Sequence, residues 1–162
     1  MNLLDDRVTI ENQAVSNRLT STISLFEGRN DSSSERNIID RDTAGKIKEA
    51  VLRIPATSLD IYFPPSIGID FVKMDIEAAE ELALSGMRRI PRESRPLVLV
   101  EFHNPEAWAA RIELTNAGYQ LYDVEHSCWI DQTSDSERAY LSLAVPENRV
   151  VALSSQMNPQ SL

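Results

Sequence analysis

The stretch that decides the fold is Ile69-Asp70-Phe71-Val72-Lys73-Met74-Asp75-Ile76-Glu77, a mostly apolar run that ends in two carboxylates. Residues 69–74 have the composition of a strand that is buried on both faces of a sheet. Residues 77–85 follow with apolar side chains at helical spacing, and Gly86 is placed to end that helix. This order predicts a strand and a helix of an α/β fold.

The downstream segments repeat this alternation. We predict a strand at 97–100, a helix that starts at Asn104-Pro105, carries Trp108 and Ile112 on one face and ends at 116–118, a strand at 119–124, and a closing pair of strands at 140–145 and 149–153 joined by a turn at 146–148. Trp108 is interpreted as a core residue. Alternating strands and helices imply a parallel sheet with helices on its faces.

The upstream part of the chain is less regular. We predict strands at 8–10, 22–26 and 49–54, the last ended by Pro55, and then a helical turn that is capped by Thr57 or Ser58, runs through Asp60 and closes at Pro64-Pro65. Residues 29–36 contain no apolar side chain, which predicts a solvated loop.

The composition limits what the chain does. Its 162 residues include 25 acidic and 16 basic side chains, and the net charge of −9 argues against general nucleic-acid binding, which needs clustered Lys and Arg. The single cysteine, Cys128, excludes an intrachain disulfide and a cysteine-rich zinc site. Because residues 1–7 do not resemble a signal peptide and no apolar stretch approaches a membrane span, we expect a cytoplasmic protein with one domain over 1–153 and a polar tail at 154–162.

Polar side chains follow both of the buried strands. Lys73, Asp75 and Glu77 close the first strand, and Glu101 and His103 close the second. Since ligands bind at the carboxyl ends of strands in open α/β sheets, we expect these residues to converge on one edge if the strands are neighbours. Carboxylates there could orient a substrate hydroxyl, bind a divalent ion or act as a general base.

Each of these candidate residues also has a purely structural explanation. Glu77 and Glu80 would lie in the first turn of a helix, where negative charge offsets the helix dipole, and Asp75 could simply cap that helix. His126 and Cys128 suggest a thiolate nucleophile, but the sequence near them shows no orienting acid in a recognisable pattern. We therefore interpret His126 and Cys128 as structural residues at the end of a strand.

The segment from Asp70 to Glu80 resembles the signature of FkbM methyltransferases, Asp-x-x-Lys-x-Asp-x-Glu-Gly-Ala-Glu, in which x is apolar. Four flanking segments also resemble the family: 14–17, which would follow a strand at 8–10, then 57–60, 84–87 and 96–103. The resemblance covers about residues 8–150. It implies methyl transfer from S-adenosylmethionine to the hydroxyl of a small molecule or sugar.

The resemblance also implies roles for the residues at the strand ends. Asp75 and Glu77 would line the substrate edge near the reacting centre, and Glu101 and His103 would assist as base or metal ligands. Lys73 and Asp75 would contact the cofactor. A different interpretation is metal-dependent hydrolysis, which would use a metal bound by Asp75, Glu101 and His103.

The chain departs from the family in two ways. Ala78 replaces the usual glycine, which is easily accommodated in right-handed backbone and costly where φ is positive. The glycines at 28, 45, 68, 86 and 118 are too widely spaced for the family's cofactor loop, and the acidic residue that holds the ribose is also missing. The resemblance therefore predicts an incomplete methyltransferase domain over 1–153 that is weakly active or inactive alone.

The expected fold is a partial Rossmann-like class I methyltransferase sheet that lacks its first two strands. Of the full order 3-2-1-4-5-7-6, strands 4-5-7-6 would form a contiguous sheet. Strand 4, at 69–74, would become a bare apolar edge, which favours association with another copy or a complementing chain. The alternative to an enzyme is an interaction or assembly module that uses this edge.

Overall fold

The computed structural model describes residues 7–17, 22–27, 36–38, 52–77, 79–131 and 139–157. The strands in these ranges are β1 (Ala14–Val15), β2 (Thr22–Glu27), β3 (Arg36–Ile38), β4 (Leu52–Thr57), β5 (Phe71–Met74), β6 (Leu97–Glu101), β7 (Tyr119–Asp123), β8 (Cys128–Trp129) and β9 (Leu141–Pro146). The helices are α1 (Leu59–Tyr62), α2 (Glu80–Ser85), α3 (Ile90–Glu93), α4 (Pro105–Ala109), α5 (Ile112–Thr115) and α6 (Glu147–Met157). The predicted α/β class is confirmed, and none of the helices described is long and apolar enough to cross a membrane.

The larger sheet has the strand order β5-β6-β9-β7-β8. β5 and β6 pair in parallel, from Phe71 opposite Leu97 to Met74 opposite Val100. β9 lies between β6 and β7 and is antiparallel to both, so the sheet is mixed, and the predicted parallel arrangement holds for β5 and β6 but not for the rest of the sheet. The order β5-β6-β9-β7 agrees with the 4-5-7-6 order expected for these segments.

The chain after β9 forms a helix instead of the predicted turn and strand. Residues 147–157 are α6, which also includes the first residues of the predicted polar tail. Val150 and Val151 favour a strand by propensity, but β6 and β7 already occupy both edges of β9. A hairpin partner for β9 therefore has no edge to pair with, and tertiary topology overrides local preference.

The smaller sheet has the order β1-β4-β2-β3. The predicted strand at 22–26 is confirmed by β2, whereas residues 8–10 form no strand and β1 lies further along the chain. Pro55 lies inside β4 rather than ending it. It pairs with Thr22 of β2, and β1 pairs only from Ala56 onward, so Pro55 costs no hydrogen bond on the β1 side. Residues 29–35 and 49–51 lie outside the described ranges.

β5 is an edge strand within the part of the chain described. It has β6 on one side, and Phe71 is 53% exposed. The prediction that this strand is buried on both faces is wrong for that reason, and the prediction of a sheet edge at this strand agrees with the structure. Met74, by contrast, points into the core.

The core lies between the larger sheet and its helices. The helix predicted from Asn104 to 118 is two short helices, α4 and α5, and its start is confirmed because Asn104 Oδ1 accepts a hydrogen bond from Ala107 N at 2.6 Å. Trp108 is buried and meets Phe102 edge to face, with 5.2 Å between ring centroids. Ile112 is 53% exposed, because the break between the helices turns it away from the face that Trp108 occupies.

Three of the flanking segments meet at one point of the structure. Ser16 N donates to Thr57 O at 2.8 Å, and Asp60 N donates to Gly86 O at 3.2 Å. A Cβ at Gly86 would lie 2.3 Å from Ser16 O, so only glycine permits this approach of two backbones. The carboxylate of Asp60 also accepts hydrogen bonds from Arg89 N and Ile90 N at the start of α3. These contacts support a structural role for segments 14–17, 57–60 and 84–87.

Candidate functional site

The ends of β5 and β6 bring the polar residues singled out in the sequence to one edge of the sheet. Their parallel register places Lys73 opposite Leu99 and Met74 opposite Val100, so the chain leaves both strands at the same level. Lys73 Nζ lies 3.0 Å from Asp75 Oδ2 and 3.9 Å from Glu101 Oε1. The hydrogen bond and the charge of Asp75 raise the pKa of Lys73, with a further contribution from Glu101.

His103 is the centre of this group. Its Nε2 lies 3.6 Å from Glu77 Oε2 and 3.9 Å from Asp75 Oδ1. Its Nδ1 lies 2.9 Å from Oε1 of Glu80 on the opposite side of the ring. When Glu80 accepts this hydrogen bond, Nδ1 carries the proton that it donates. In the neutral ring, the lone pair of Nε2 then faces the acidic side chains.

Partial burial lowers the pKa of His103, but other effects outweigh it. The hydrogen bond to Glu80 raises the pKa, and so do the charges of Glu80, Glu77 and Asp75. The net result is a pKa of His103 above the usual value for histidine. Neutral His103, the form that accepts a proton, therefore becomes populated at a higher pH than for an ordinary histidine.

Glu80 is a residue of the site that the sequence interpretation assigned only to the helix dipole. It starts α2, its side chain is fully buried, and its Oε1 also accepts from Ile76 N at 3.3 Å. Its Oε2 is buried without a hydrogen-bond partner. The only sequence signal was its place at the end of the signature, because an acidic residue at a helix start has an ordinary explanation.

Tyr140 is a second residue that the sequence did not single out. Its hydroxyl donates to Glu101 Oε2 at 3.2 Å and lies 3.3 Å from His103 Nε2. Burial raises the pKa of Tyr140, and the hydrogen bond to Glu101 and nearby carboxylates raise it further, so the phenol stays neutral at neutral pH. Only the return of β9 alongside β6 brings Tyr140 to the site, and spacing along the chain cannot show this.

A cavity of about 250 Å³ opens beside His103. Its walls are mainly aromatic and apolar, with polar groups on the side of the acidic cluster. It is lined by Phe102, His103, Asn104, Pro105, Trp108, Ala139 and Tyr140. The site thus joins a small apolar recess to a histidine and several carboxylates, a combination typical of small-molecule sites.

Glu77 has an unusual backbone conformation. Its φ is 51°, in the left-handed region that non-glycine residues rarely adopt. The residue therefore precedes α2 and is not in its first turn, so the helix-dipole interpretation of Glu77 is wrong. Ala78, at the position where the family signature has glycine, lies outside the described residues.

Three of these side chains have the geometry to hold a metal ion. Donor atoms of Asp75, Glu101 and His103 lie within 4.8 Å of one another. However, the ammonium group of Lys73 already neutralises Asp75 and lies close to Glu101. A divalent ion shared by these two carboxylates would have to displace Lys73 or approach from its far side.

The second histidine has a different setting. His126 Nδ1 lies 2.8 Å from Asp123 Oδ2 in the turn between β7 and β8, so Asp123 is the orienting acid that the sequence pattern did not reveal. The hydrogen bond and charge of Asp123 raise the pKa of His126. The His126 side chain is 73% exposed, and Cys128 is exposed as well. Neither residue lines the cavity beside His103.

Comparison with known proteins identifies one family. The model of the methyltransferase FkbM domain matches residues 1–121. The match includes Glu80, Glu101 and His103 and ends within β7, before Tyr140. No curated protein and no solved structure matches the chain significantly.

Proposed function

Because the chain belongs to the FkbM methyltransferase family, we propose that it transfers a methyl group from S-adenosylmethionine to a hydroxyl group of a small molecule or sugar. One observation carries the proposal beyond the family. His103 lines a small cavity and has Nε2 near Asp75 and Glu77, while Glu80 contacts the other ring nitrogen.

His103 is the base in this proposal. An alcohol is a poor nucleophile until its proton is removed, and neutral imidazole is the side chain best matched to that task near neutral pH. When bound, S-adenosylmethionine would supply the methyl carbon and leave as S-adenosylhomocysteine once its carbon–sulfur bond breaks. Nε2 of His103 would take the proton that the acceptor hydroxyl gives up. Asp75 and Glu77 lie close enough to Nε2 to stabilise the imidazolium that results.

The charge of the site suits the methyl donor. S-adenosylmethionine, when bound, supplies a methyl group on a positively charged sulfur. The cluster has four carboxylates, Asp75, Glu77, Glu80 and Glu101. Among the ion pairs of the described residues, its cationic partners are Lys73, which contacts Asp75 and Glu101, and the titratable His103. We assign Lys73 and Asp75 to the carboxylate and amino group of the methionine end, because their charges are complementary to these two groups.

The recess beside His103 is the proposed acceptor site. Its volume of about 250 Å³ is below the roughly 300–1,000 Å³ of typical ligand pockets, so the part of the acceptor held here is small, such as a single ring. Tyr140 and Asn104 provide polar groups at the wall, and Trp108 and Phe102 provide apolar surface. This mixture fits a sugar ring or a comparable polyol, which has both polar edges and apolar faces.

The assay uses labelled S-adenosylmethionine and a panel of monosaccharides, polyols and phenols. We expect transfer of label to at least one hydroxyl compound, with loss of transfer in His103→Asn. Transfer that is undiminished by this substitution would contradict the assignment of the base. Because the widely spaced glycines offer no recognisable cofactor loop, we expect weak cofactor binding, and tight binding in calorimetry would contradict that expectation.

The proposal needs no metal. Lys73 already supplies positive charge between Asp75 and Glu101, and His103 acts as a base only if a metal does not occupy Nε2. We expect methyl transfer to persist after treatment with a chelator. Activity that disappears with the chelator and returns with a divalent cation, together with metal detected by elemental analysis, would favour a metal at Asp75, Glu101 and His103.

The outer edge of β5 supports a second candidate role in assembly. β5 lies at the sheet edge in the described ranges, and its first residue, Phe71, is half exposed. Exposed strand edges pair readily with another strand. We propose that this edge accepts a second copy or a complementing chain. Light scattering should then report a species larger than the monomer, whereas a monomer at all concentrations would contradict the pairing of copies.

A further inference from the structure

Glu80 is a buried carboxylate that the proposed base reaction does not itself require. Its side chain is fully buried, and both side-chain hydrogen bonds that it makes with the described residues involve the same oxygen, Oε1. The contact with His103 Nδ1, at 2.9 Å, is shorter than the contact with Ile76 N, at 3.3 Å. The partner oxygen, Oε2, is buried and has no hydrogen-bond partner.

A purely structural role explains this arrangement poorly. A carboxylate is costly to bury, and an apolar residue of similar volume often serves stability as well or better. Glutamate at the start of a helix is favourable when exposed, where it retains its solvation. The side chain of Glu80 instead turns inward and meets the inner nitrogen of the one histidine that borders the cavity.

We propose that Glu80 is a positioning residue for methyl transfer, whose buried carboxylate holds His103 in the tautomer with the proton on Nδ1 and leaves the lone pair of Nε2 facing the acceptor. The inference rests on the proposed function of His103 as the base. In the other tautomer Nε2 would carry the proton and could not accept one. A carboxylate that accepts a hydrogen bond from the far nitrogen of a working histidine commonly fixes the tautomer of the ring and raises its basicity.

Other groups face His103 and contribute to its titration. Asp75 and Glu77 approach Nε2 from the segment between β5 and α2, and the Tyr140 hydroxyl approaches it from the segment before β9. We expect all three to remain in place when Glu80 is replaced. The Nδ1 side is contacted by Glu80 alone among the hydrogen-bond and ion-pair partners identified for His103, so substitution of Glu80 isolates the effect of one side of the ring.

The test measures the tautomer and pKa of His103 directly by two-bond ¹H–¹⁵N NMR of the imidazole rings. The chain has only two histidines, and His126→Asn assigns the signals by leaving one. In the wild-type chain above its pKa, we expect His103 to have a protonated Nδ1 and an unprotonated Nε2. A ring with its proton on Nε2 would overturn the proposal, because Glu80 would then not be holding Nδ1–H.

Two substitutions separate the effect of the negative charge of Glu80 from the effect of its hydrogen-bonding group. Glu80→Gln keeps the shape but loses the negative charge, so the pKa of His103 should fall. Its amide can either accept from Nδ1 or donate to it, so the Nδ1–H tautomer should no longer be enforced. Glu80→Met removes the acceptor, so the Nδ1–H tautomer should lose its dominance. Asp123→Asn is the matched control and should change only His126. An Nδ1–H tautomer that stays dominant in Glu80→Met would contradict the proposal.

Kinetics then tests the link to function. We expect Glu80→Met to lower kcat about 10-fold to 100-fold with little change in KM for the acceptor, as is usual for partners that act through another residue. In Glu80→Gln the rising limb of the pH profile should move to lower pH. If the NMR result holds but kcat does not change in Glu80→Met, the tautomer is held without serving catalysis, and the proposal fails. If transfer also survives His103→Asn, the proposed function fails instead.

Discussion

The two histidines of this chain show what distinguishes a site from a local contact. Both present Nδ1 to a carboxylate at nearly equal distances, 2.9 Å for His103 with Glu80 and 2.8 Å for His126 with Asp123. Both have a raised pKa: burial lowers the pKa of His103, but Glu80, Glu77 and Asp75 together raise it more, and Asp123 raises the pKa of His126. Judged by the pair alone, the two are equivalent.

Their surroundings are not equivalent. The His103 side chain is 16% exposed, and Asp75 and Glu77 approach its outer nitrogen beside a cavity. His126 is 73% exposed and belongs to a tight turn in which Asp123 also accepts from the backbone N–H groups of Glu125 and His126. A histidine–carboxylate pair therefore becomes a candidate site only when other groups converge on the second nitrogen of the histidine ring.

Replacement of each histidine in turn is the largest test of this contrast. We expect His103→Asn to lower kcat/KM for methyl transfer about 10²-fold to 10⁴-fold, the usual contribution of a general base. His126→Asn should leave transfer within a factor of about two, since an exposed turn residue touches neither the cavity nor the acidic cluster. Loss of transfer in His126→Asn with the fold intact would reverse the assignment.

Gly86 tests whether α2, which carries Glu80, depends on close backbone packing. A Cβ at this position would meet Ser16 O at 2.3 Å, so Gly86→Ala should lower the free energy of unfolding by about 1–3 kcal/mol, measured by urea denaturation. Gly68→Ala is the matched control, because nothing lies within 4 Å of its added Cβ. Equal stability of the two variants would mean that this backbone contact is not formed.

Asp123 tests the opposite side of the comparison. Asp123→Ala removes the acceptor of two backbone N–H groups in the β7–β8 turn and should lower the free energy of unfolding by about 1–2 kcal/mol. Because this turn lies apart from the proposed base, kcat/KM should not change once the protein is folded. A fall in kcat/KM comparable to that of His103→Asn would show that the two regions are coupled.

The pH dependence of stability gives the smallest effect. Because their pKa values are raised in the folded chain, His103 and His126 contribute stability that is fully present below about pH 6.5, the usual pKa of histidine in an unfolded chain. This contribution is lost as pH rises through the pKa values of the folded chain. Burial raises the pKa of Asp123, but hydrogen bonds from His126 and Glu125 lower it below the usual value overall. Its contribution is present above about 3.9 and is lost as pH falls through the folded value.

Urea denaturation across this pH range should resolve the two contributions. His103→Asn should weaken the decline of stability above neutral pH, and His126→Asn should do the same independently because the residues are far from any shared partner. A stability curve that rises with pH between 6 and 8 in the wild-type chain, and not in these variants, would contradict the raised pKa values.

Much of the larger sheet could be predicted from local patterns. β5, β6, β7 and β9 coincide with segments whose apolar runs are bounded by Gly, Pro or charged residues, and the asparagine cap of α4 was readable from Asn104-Pro105. The convergence of Lys73, Asp75, Glu101 and His103 followed from the rule that parallel neighbours end at one edge. These features depend on residues that are close in sequence or on one pairing of strands.

The remaining features depend on packing at long range. Val150 and Val151 favour a strand until the neighbours of β9 are known, and the inward turn of Glu80 is invisible without the position of His103. Tyr140 reaches the site only through the antiparallel return of β9. Glu77 takes a positive φ that its residue type does not favour, so its place outside α2 could not be read from the helical pattern.

The most direct test of the account follows both histidines while cofactor is added. The chain is labelled with ¹⁵N in its two imidazole rings and titrated with S-adenosylmethionine to saturation. We expect the ¹⁵N chemical shifts of the His103 ring to change in proportion to cofactor occupancy and those of the His126 ring to remain unchanged. Shifts confined to His126, or an unmoved His103 at saturating cofactor, would contradict a methyl-transfer site at the ends of β5 and β6.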